Sequence, residues 1–339
     1  MGIAAKKIGQ QTYFFHQPPV ILSTATIVGP KEGQGPLGHT FDKVVEDPYY
    51  GEKSWEKAEQ RMLEEAMQKA LQKANLAPQN VDFLLAGDLL NQIIAADFTA
   101  RVLGVPFLGL YGACATMYEG MALAAMLIDG VFAEYVLLGA SSHFSTAERQ
   151  YRYPTEQGVQ RPMSAQWTVT GAGAMLLARQ GAGPVVTHAT VGRVVDLGSA
   201  DPNDMGAAMA PAAADTIARH LEDTGRVPGD YDLFLSGDLG AYGLALANKI
   251  VEQKGYQIAG HFNDCGLLIY HHQRQDTHAG GSGCACSAVV TCGYLMQEMA
   301  AGRLRRVLGI GTGALFSKCS SLQGETIPGI AHAVAIEAR

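Results

Sequence analysis

Cysteine carries the most reactive side chain in this chain, and two of the six cysteines stand at matching positions. Cys114 and Cys286 each begin a run of small, mostly apolar residues, and the runs end at Gly130 and Gly302. Such runs predict helices, because glycine is the usual C-terminal stop. A helix N-terminus favours a thiolate, and its backbone N–H groups can bind an oxyanion. Cys114 is therefore a candidate nucleophile; the alternative is a buried cysteine that packs as a small hydrophobic residue.

A second cysteine pattern is Cys284-Ala285-Cys286 with Cys292. Cysteines are common metal ligands, but the spacing of these three is not that of a metal site. Structural zinc sites take four Cys or His ligands, typically in paired motifs with two to four intervening residues. We therefore expect small buried thiols in this segment, and neither a metal nor any other cofactor in the protein.

The composition is that of a globular protein with a large core. Of 339 residues, 47% are hydrophobic, 17% are charged and 40 are glycine, which excludes a disordered chain. The net charge is −7 and no basic block stands out, so a nucleic-acid partner is not expected. No apolar run reaches the length of about 20 residues that a transmembrane helix needs. The cysteines lack the spacing of a secreted disulfide framework, so we expect reduced thiols inside a cell.

Three segments occur twice, in the same order along the chain. The pairs are residues 76–89 with 225–239, 19–29 with 184–192, and 114–130 with 286–302. The first pair, with the residues before it, predicts an amphipathic helix, a Pro-containing turn and a buried strand in each copy. We therefore predict two halves, residues 1–183 and 184–339, that share one core.

Strands that alternate with helices place the chain in the α/β class. The helices predicted over residues 115–129 and 287–301 carry almost no charge. A helix without a polar face must be buried on all sides, so we expect these two helices to be held between sheets.

Three segments resemble the thiolase superfamily, which includes thiolases and the condensing enzymes of fatty-acid synthesis. They are the strand at residues 81–87, the turn Gly112-Ala113-Cys114-Ala115, and the glycine-rich Gly280-Gly281-Ser282-Gly283. The resemblance implies duplicated βαβαβαββ halves stacked in five layers (α-β-α-β-α). It also implies that Cys114 stands where the acylated cysteine of that superfamily stands.

Longer strings resemble one family within this superfamily, the stage V sporulation proteins AD. The strings are residues 22–32 (LSTATIVGPKE), 111–120 (YGACATMYEG) and 260–266 (GHFNDCG). The resemblance implies a soluble subunit of the spore's dipicolinic-acid transport machinery, inside the sporulating cell or spore, with a role in sporulation and germination. It implies binding of dipicolinic acid (pyridine-2,6-dicarboxylate), with calcium or without it. It also implies peripheral association with the spore inner membrane through membrane-embedded partner subunits. Whether the protein forms a homodimer is left open.

The groups that assist the cysteine in condensing enzymes are incomplete here. The resemblance places a His after the strand at residues 233–235, but this loop reads Ser236-Gly237-Asp238-Leu239. It also places Asn or a Gly-His-Pro string before the second buried helix, where this chain has His278 without the Pro. Since a thiol nucleophile needs a base to activate it, we expect binding rather than catalysis. The alternative is an acyl-transfer or condensing enzyme of the ketoacyl-synthase type with Cys114 as nucleophile.

A pocket where two halves meet is the expected place for a small ligand. In the thiolase-like fold, strand ends and turns converge on the cysteine. The candidate binding residues on these segments are Asp88, Gln92, Cys114, Ser142, His143, Asp264, Cys265, His278, Lys318 and Cys319. Lys318 and His143 are the candidates to pair with carboxylates, because a dianion needs cations and N–H donors. Asp88 and Asp264 either hold those cations in place or stabilise turns.

Two polar, aromatic-rich insertions are predicted at residues 35–50 and 149–161. They are expected to form a lid, a dimer contact or a partner-docking loop, or to be ordinary solvated loops. The second insertion contains Arg149, Arg152 and Arg161, which could guide an anion.

Overall fold

The computed structural model describes residues 5–151 and 161–339. Strands alternate with helices along these residues, which confirms the predicted α/β class. The strands are β1 (Lys7–Ile8), β2 (Thr12–Phe14), β3 (Val20–Val28), β4 (Lys43–Val44), β5 (Phe83–Gly87), β6 (Phe107–Gly109), β7 (Tyr135–Ser142), β8 (Trp167–Thr168), β9 (Gly171–Ala178), β10 (Val185–Thr190), β11 (Leu233–Ser236), β12 (Phe262–Asp264), β13 (Gly281–Ser282), β14 (Arg306–Ala314) and β15 (Gly329–Glu337). The α-helices are α1 (Pro30–Gly33), α2 (Trp55–Lys73), α3 (Ile94–Leu103), α4 (Thr116–Asp129), α5 (Phe144–Tyr151), α6 (Met205–Thr224), α7 (Gly240–Gln253), α8 (Cys265–Leu268), α9 (Cys284–Val290), α10 (Met296–Ala300) and α11 (Lys318–Leu322).

Two arrays of five strands with the same strand order form the framework. The first array runs β6-β5-β7-β9-β3 and the second runs β12-β11-β14-β15-β10. In each array the first three strands are parallel and the fourth is antiparallel to its neighbours. The arrays meet where β10 pairs with β3 through Val185 and Val20. With the intervening major helices, each half follows the predicted βαβαβαββ order.

Two long amphipathic helices cover the outer faces of the arrays. Helix α2 packs on β3, β7 and β9, and α6 packs on β10, β14 and β15. The side chains of Ser54 and Asp204 cap their N-termini, as short polar side chains do at the residue before a helix. Helix α6 ends at Thr224 and is followed by Gly225, whose φ of 66° lies in the left-handed region. The apolar spacing had predicted both helices.

The central layer consists of α4 and α9, which lie between the arrays. Helix α4 contacts β7 of the first array and β14 and β15 of the second. Helix α9 is buried along its whole length and continues through a π turn at Thr291–Leu295 into α10. The expectation of burial on all sides is wrong at two places, because Leu123 of α4 is 38% exposed and α10 reaches the surface.

The buried apolar residues form a central cluster between the arrays and one further cluster under each outer helix layer. The central cluster draws on residues from both predicted halves, and the layers together are α-β-α-β-α. The division of the chain at residues 183 and 184 stays a prediction. Within the described residues, no helix has the length and apolar character needed to cross a membrane.

Candidate functional site

The turn before α4 holds Cys114 in a constrained backbone. Ala113 has a φ of 50°, in the left-handed region that disfavours side chains. Gly313 of β14 lies directly against this turn, since a Cβ there would stand 2.8 Å from the carbonyl oxygen of Gly112. Strand β14 of the second array therefore packs directly against the turn. Only a glycine at position 313 allows this close approach. The side chain of Cys114 is 7% exposed.

A cavity of about 200 Å³ lies above Cys114. Residues of both halves surround it: Leu89, Tyr111, Ala113, Cys114, Ala147, Tyr151, Thr168, Met205, Ser282, Gly283, Ala314, Leu315, Phe316 and Ser317. These lining residues of the described chain include hydroxyl groups and aromatic rings but no Lys, Arg, His, Asp or Glu. These described residues can therefore offer hydrogen-bond donors to a ligand, but no cationic side chain.

Aromatic residues form one side of the cavity. The hydroxyl group of Tyr151 donates to the carbonyl oxygen of Leu89 at 2.5 Å. The Tyr151 ring stands 5.4 Å from the Phe316 ring, at an interplanar angle of 48°. Tyr111 is 54% exposed and marks the open side. These rings come from both halves of the chain, so the two halves must dock to complete this wall.

Asp238 lies close to Cys114 and next to the lining residue Gly283. Its carboxyl group accepts from Thr312 Oγ1 at 2.6 Å and from the backbone N–H of Gly283 at 3.1 Å. It also lies close enough to Cys114 for its charge to raise the pKa of that thiol. Burial raises the pKa of Asp238 to about 7 despite these hydrogen bonds. The list of predicted binding residues missed Asp238, although it follows β11 where the resemblance placed a His, and its match with Asp88 in the repeat could have drawn attention to it.

The thiol of Cys114 is held in its protonated form. Burial is the main cause of a pKa well above the ordinary value of 9.0, and the nearby charge of Asp238 adds to it. This overrides the preference for a thiolate that the helix N-terminus suggested. Since the thiolate is the nucleophile, the geometry does not activate Cys114.

Further thiols surround this position. The thiol of Cys284 donates to the carbonyl oxygen of Ala113 at 3.0 Å. Cys265, Cys284 and Cys286 are completely buried free thiols, and burial raises the pKa of each well above 9.0. They pack as small hydrophobic residues at the starts of α8 and α9.

The two predicted carboxylates hold backbone turns. Asp88 accepts from the N–H groups of Leu90 and Ala96, both at 2.8 Å. Asp264 accepts from Ser236 Oγ at 2.7 Å and from backbone N–H groups, including that of Leu239 at 2.8 Å. Burial raises the pKa of each to about 6. These contacts match the turn-stabilising alternative, while Asp264 also lies close enough to Asp238 to raise the pKa of that residue.

The predicted histidines lie outside the cavity lining. His143 is 1% exposed, with Nε2 at 2.9 Å from the carbonyl oxygen of Pro48, and burial lowers its pKa. His278 contacts the carbonyl oxygen of Pro162 through Nδ1 at 2.8 Å and the carboxylate of Asp276 through Nε2 at 2.9 Å. Each imidazole already has protein partners, so a ligand would compete with them.

The remaining predicted binding residues lie around the cavity. Ser142 is buried and donates to the carbonyl oxygen of Val169 at 2.7 Å. Gln92 is exposed, with a φ of 57°. Lys318 and Cys319 are exposed at the start of α11, directly after the lining residue Ser317. The structure thus brings Cys114, Asp264 and Cys265 together around Asp238. Lys318 lies next to the cavity lining. The ligand-binding roles of all these residues stay predictions.

The structure describes the first insertion in full, and of the second only residues 149–151 and 161. In the first, Phe41 and Val45 are buried, so it is not a simple solvated loop. In the second, Arg149 forms an ion pair with Glu56, and the guanidinium group of Arg161 lies 4.8 Å from the centre of the Trp167 ring. Arg152 lies outside the described residues.

Comparison with known proteins identifies the family. The family model for stage V sporulation protein AD (SpoVAD) matches residues 9–337. Stage V sporulation protein AD of Bacillus subtilis is 50% identical over 332 residues, which cover 98% of each chain. The chain belongs to the stage V sporulation protein AD family. This confirms the resemblance that the strings at residues 22–32, 111–120 and 260–266 predicted.

Solved structures of more distant proteins show the same fold. The 3-oxoacyl-[acyl-carrier-protein] synthase III of Aquifex aeolicus is 14% identical with a TM-score of 0.58, covering 94% of this chain and 99% of its own. An OleA variant of Xanthomonas campestris bound with cerulenin is 15% identical with a TM-score of 0.63, covering 99% of each chain. At this identity the likeness confirms the thiolase-like fold of this AD family member and says nothing of its activity.

Proposed function

We propose that this AD family member binds dipicolinic acid without catalysing a reaction on it, as a subunit of the spore's dipicolinic-acid transport machinery. The observation that carries the proposal is the cavity above Cys114, which has a carboxyl group close to the thiol where an activating imidazole would be needed. Membership of the family supports the choice of ligand, because the family resemblance implies dipicolinic acid.

The size and walls of the cavity suit one small aromatic acid. A cavity of roughly 150 Å³ can hold a benzene ring, and this one measures about 200 Å³. The rings of Tyr151 and Phe316 offer apolar faces, and Thr168, Ser282 and Ser317 offer hydroxyl groups. A planar ring with polar substituents needs this combination of surfaces.

The charge of the lining favours the calcium chelate over the bare dianion. Burying an unpaired carboxylate is costly, and the lining residues that the structure describes supply no cation. In the chelate, Ca²⁺ neutralises both carboxylates before the ligand enters. The exposed Lys318 next to Ser317 would attract the free dianion to the opening.

The neutral state of the Cys114 thiol supports binding over chemistry. Condensation or acyl transfer needs a thiolate and a group that accepts its proton. Here burial and Asp238 favour the neutral thiol of Cys114. In this proposal Cys114 contributes shape and a weak hydrogen bond, and the partners are membrane-embedded subunits that bring the protein to the spore inner membrane.

Calorimetry of the intact protein with dipicolinate, with and without equimolar Ca²⁺, tests the proposal. We expect saturable binding that is tighter with Ca²⁺, and no mass increase on Cys114 after incubation with acyl-CoA. The competing function is acyl transfer through Cys114. No heat with dipicolinate in either form, together with an acyl adduct on Cys114, would establish that alternative.

A further inference from the structure

The loop that follows β5 contains two neighbouring residues in a strained backbone conformation. Gln92 has a φ of 57° and a ψ of 26°, and Ile93 has a φ of 48° and a ψ of 45°. Both lie in the left-handed region, which is costly for any residue with a Cβ and most costly for a β-branched residue such as Ile93. Strain of this kind persists only where the surrounding structure holds it, and it is concentrated at binding sites and moving segments.

The strained loop forms one side of the cavity. Leu89 is a lining residue, and both Leu89 and Leu90 are buried. Asp88 holds the two ends of the loop, because its carboxyl group accepts from the N–H of Leu90 and from that of Ala96, both at 2.8 Å. The strain therefore lies between two fixed points, next to the space that a ligand would fill.

Helix α5 holds the middle of this loop through one amide side chain. The Nε2 of Gln150 donates to the carbonyl oxygen of Leu89 at 2.8 Å, and its Oε1 accepts from the N–H of Asn91 at 3.2 Å. Gln150 thus satisfies a backbone acceptor and a backbone donor of the same loop. The hydroxyl group of Tyr151 adds a second donor to the Leu89 carbonyl oxygen.

We propose that residues 89–93 are a movable wall of the cavity, which Gln150 holds in place against the backbone strain at Gln92 and Ile93. The two opposing contributions are similar in size, since a hydrogen bond and a left-handed residue change the free energy by comparable amounts. A loop in such a balance changes position when a ligand or a substitution favours one state. The cavity can then widen to admit a ligand and close around it.

The movement of this wall rests on the proposed function only for the identity of the ligand, and it can be measured in the ligand-free protein. Hydrogen exchange of the intact protein, followed by mass spectrometry of peptides that span residues 88–96, reports the opening of the loop. Circular dichroism verifies the fold of each variant.

Gln150→Met removes both hydrogen bonds of the side chain and leaves its length nearly unchanged. We expect the loop amides of this variant to exchange about fivefold faster than those of the unmodified protein. Gln253→Met is the matched control, at an exposed glutamine that ends α7, and it should leave the exchange of the loop unchanged.

A second variant changes the balance in the opposite direction and should not weaken the fold. Gln92→Gly relieves the left-handed strain at an exposed position, so the loop amides should exchange about fivefold more slowly. Asn75→Gly is its control, because Asn75 is exposed after α2 with a φ of 54°. In the double variant Gln92→Gly/Gln150→Met, exchange should return toward the original rate.

The same ligand-free exchange rate of the loop in Gln92→Gly, Gln150→Met and the unmodified protein would overturn the proposal, because the wall would then be static. Addition of dipicolinate with Ca²⁺ separates the movement of the wall from the choice of ligand. Slower exchange of the loop with dipicolinate than without it supports both. Exchange that responds to the two substitutions but not to dipicolinate supports the movable wall and overturns the proposed ligand.

Discussion

The Tyr151 hydroxyl group donates to the carbonyl oxygen of Leu89 at 2.5 Å, and both residues line the cavity above Cys114. Through this contact α5 fixes the loop that follows β5. The aromatic wall of the cavity therefore depends on the position of a loop in the same half, while Phe316 completes it from the other half.

Replacing Tyr151 should loosen this wall. Tyr151→Phe removes the hydrogen bond to Leu89, so we expect a loss of about 1 kcal/mol in the free energy of unfolding and roughly threefold weaker dipicolinate binding. Urea denaturation and calorimetry measure the two effects. Tyr242→Phe, at a tyrosine that is 52% exposed on α7, is the matched control and should change neither. Unchanged affinity in Tyr151→Phe would show that the wall is not part of the binding site.

The support of the Cys114 turn by β14 predicts a steric effect. In Gly313→Ala the new Cβ would approach the carbonyl oxygen of Gly112 to 2.8 Å, so the turn must move. We expect destabilisation of about 1–3 kcal/mol, as for other overpacked sites, and weaker ligand binding. Gly260→Ala is the control, because a Cβ there meets nothing within 4 Å. Unfolding and binding curves like those of the unmodified protein would contradict the described packing.

Lys318 should act on the charge of the ligand. Its removal in Lys318→Gln should weaken binding of free dipicolinate about threefold at low salt, with less effect on the calcium chelate and less effect in high salt. Calorimetry at two salt concentrations measures this, with Lys249→Gln on the exposed face of α7 as the control. An equal loss for both ligand forms would argue against attraction by charge.

Glu59 predicts a pH dependence of stability. Burial, followed by the charge of Asp88, raises the pKa of Glu59 to about 8 from an ordinary value of 4.5. In that pH range the folded protein keeps a proton that the unfolded chain releases, so stability falls as the pH rises from 4.5 toward 8. Glu59→Gln has no such proton and should lose less stability between pH 5.5 and 8, by at least about 1.4 kcal/mol.

Urea denaturation at the two pH values tests this prediction. Glu64→Gln, on the same helix, should keep the pH dependence of the unmodified protein. A parallel loss of stability in the Glu59→Gln protein and the unmodified protein would show that Glu59 is ionised in the folded state.

The sequence predicted those features that repeat or have a strong period. The repeated segments located β5 and β11 with the helices before them, and the absence of charge located α4 and α9 in the central layer. The turn at Cys114 could be predicted because the motif Gly112-Ala113-Cys114-Ala115 and the apolar run after it are contiguous in the sequence. The direction in which each candidate side chain points was harder to predict, because it depends on contacts between segments that are distant in the sequence.

Asp238 and His143 illustrate that difficulty. Asp238 lies near Cys114 although the two residues are 124 positions apart in the chain. The repeat marks Asp238 as the match of Asp88, but it does not show that Asp238 lies near Cys114. His143 follows β7 as predicted, but the insertion at residues 35–50 folds back and supplies the Pro48 carbonyl oxygen to its Nε2. The sequence showed the insertion without showing where it would pack.

A crystal structure of the intact protein soaked with dipicolinate and Ca²⁺ tests the central claim most directly. We predict the pyridine ring in the cavity above Cys114, against Tyr151 and Phe316, with an unmodified thiol beneath it. A ligand bound elsewhere with this cavity empty, or an acyl group attached to Cys114 after exposure to acyl-CoA, would contradict the account.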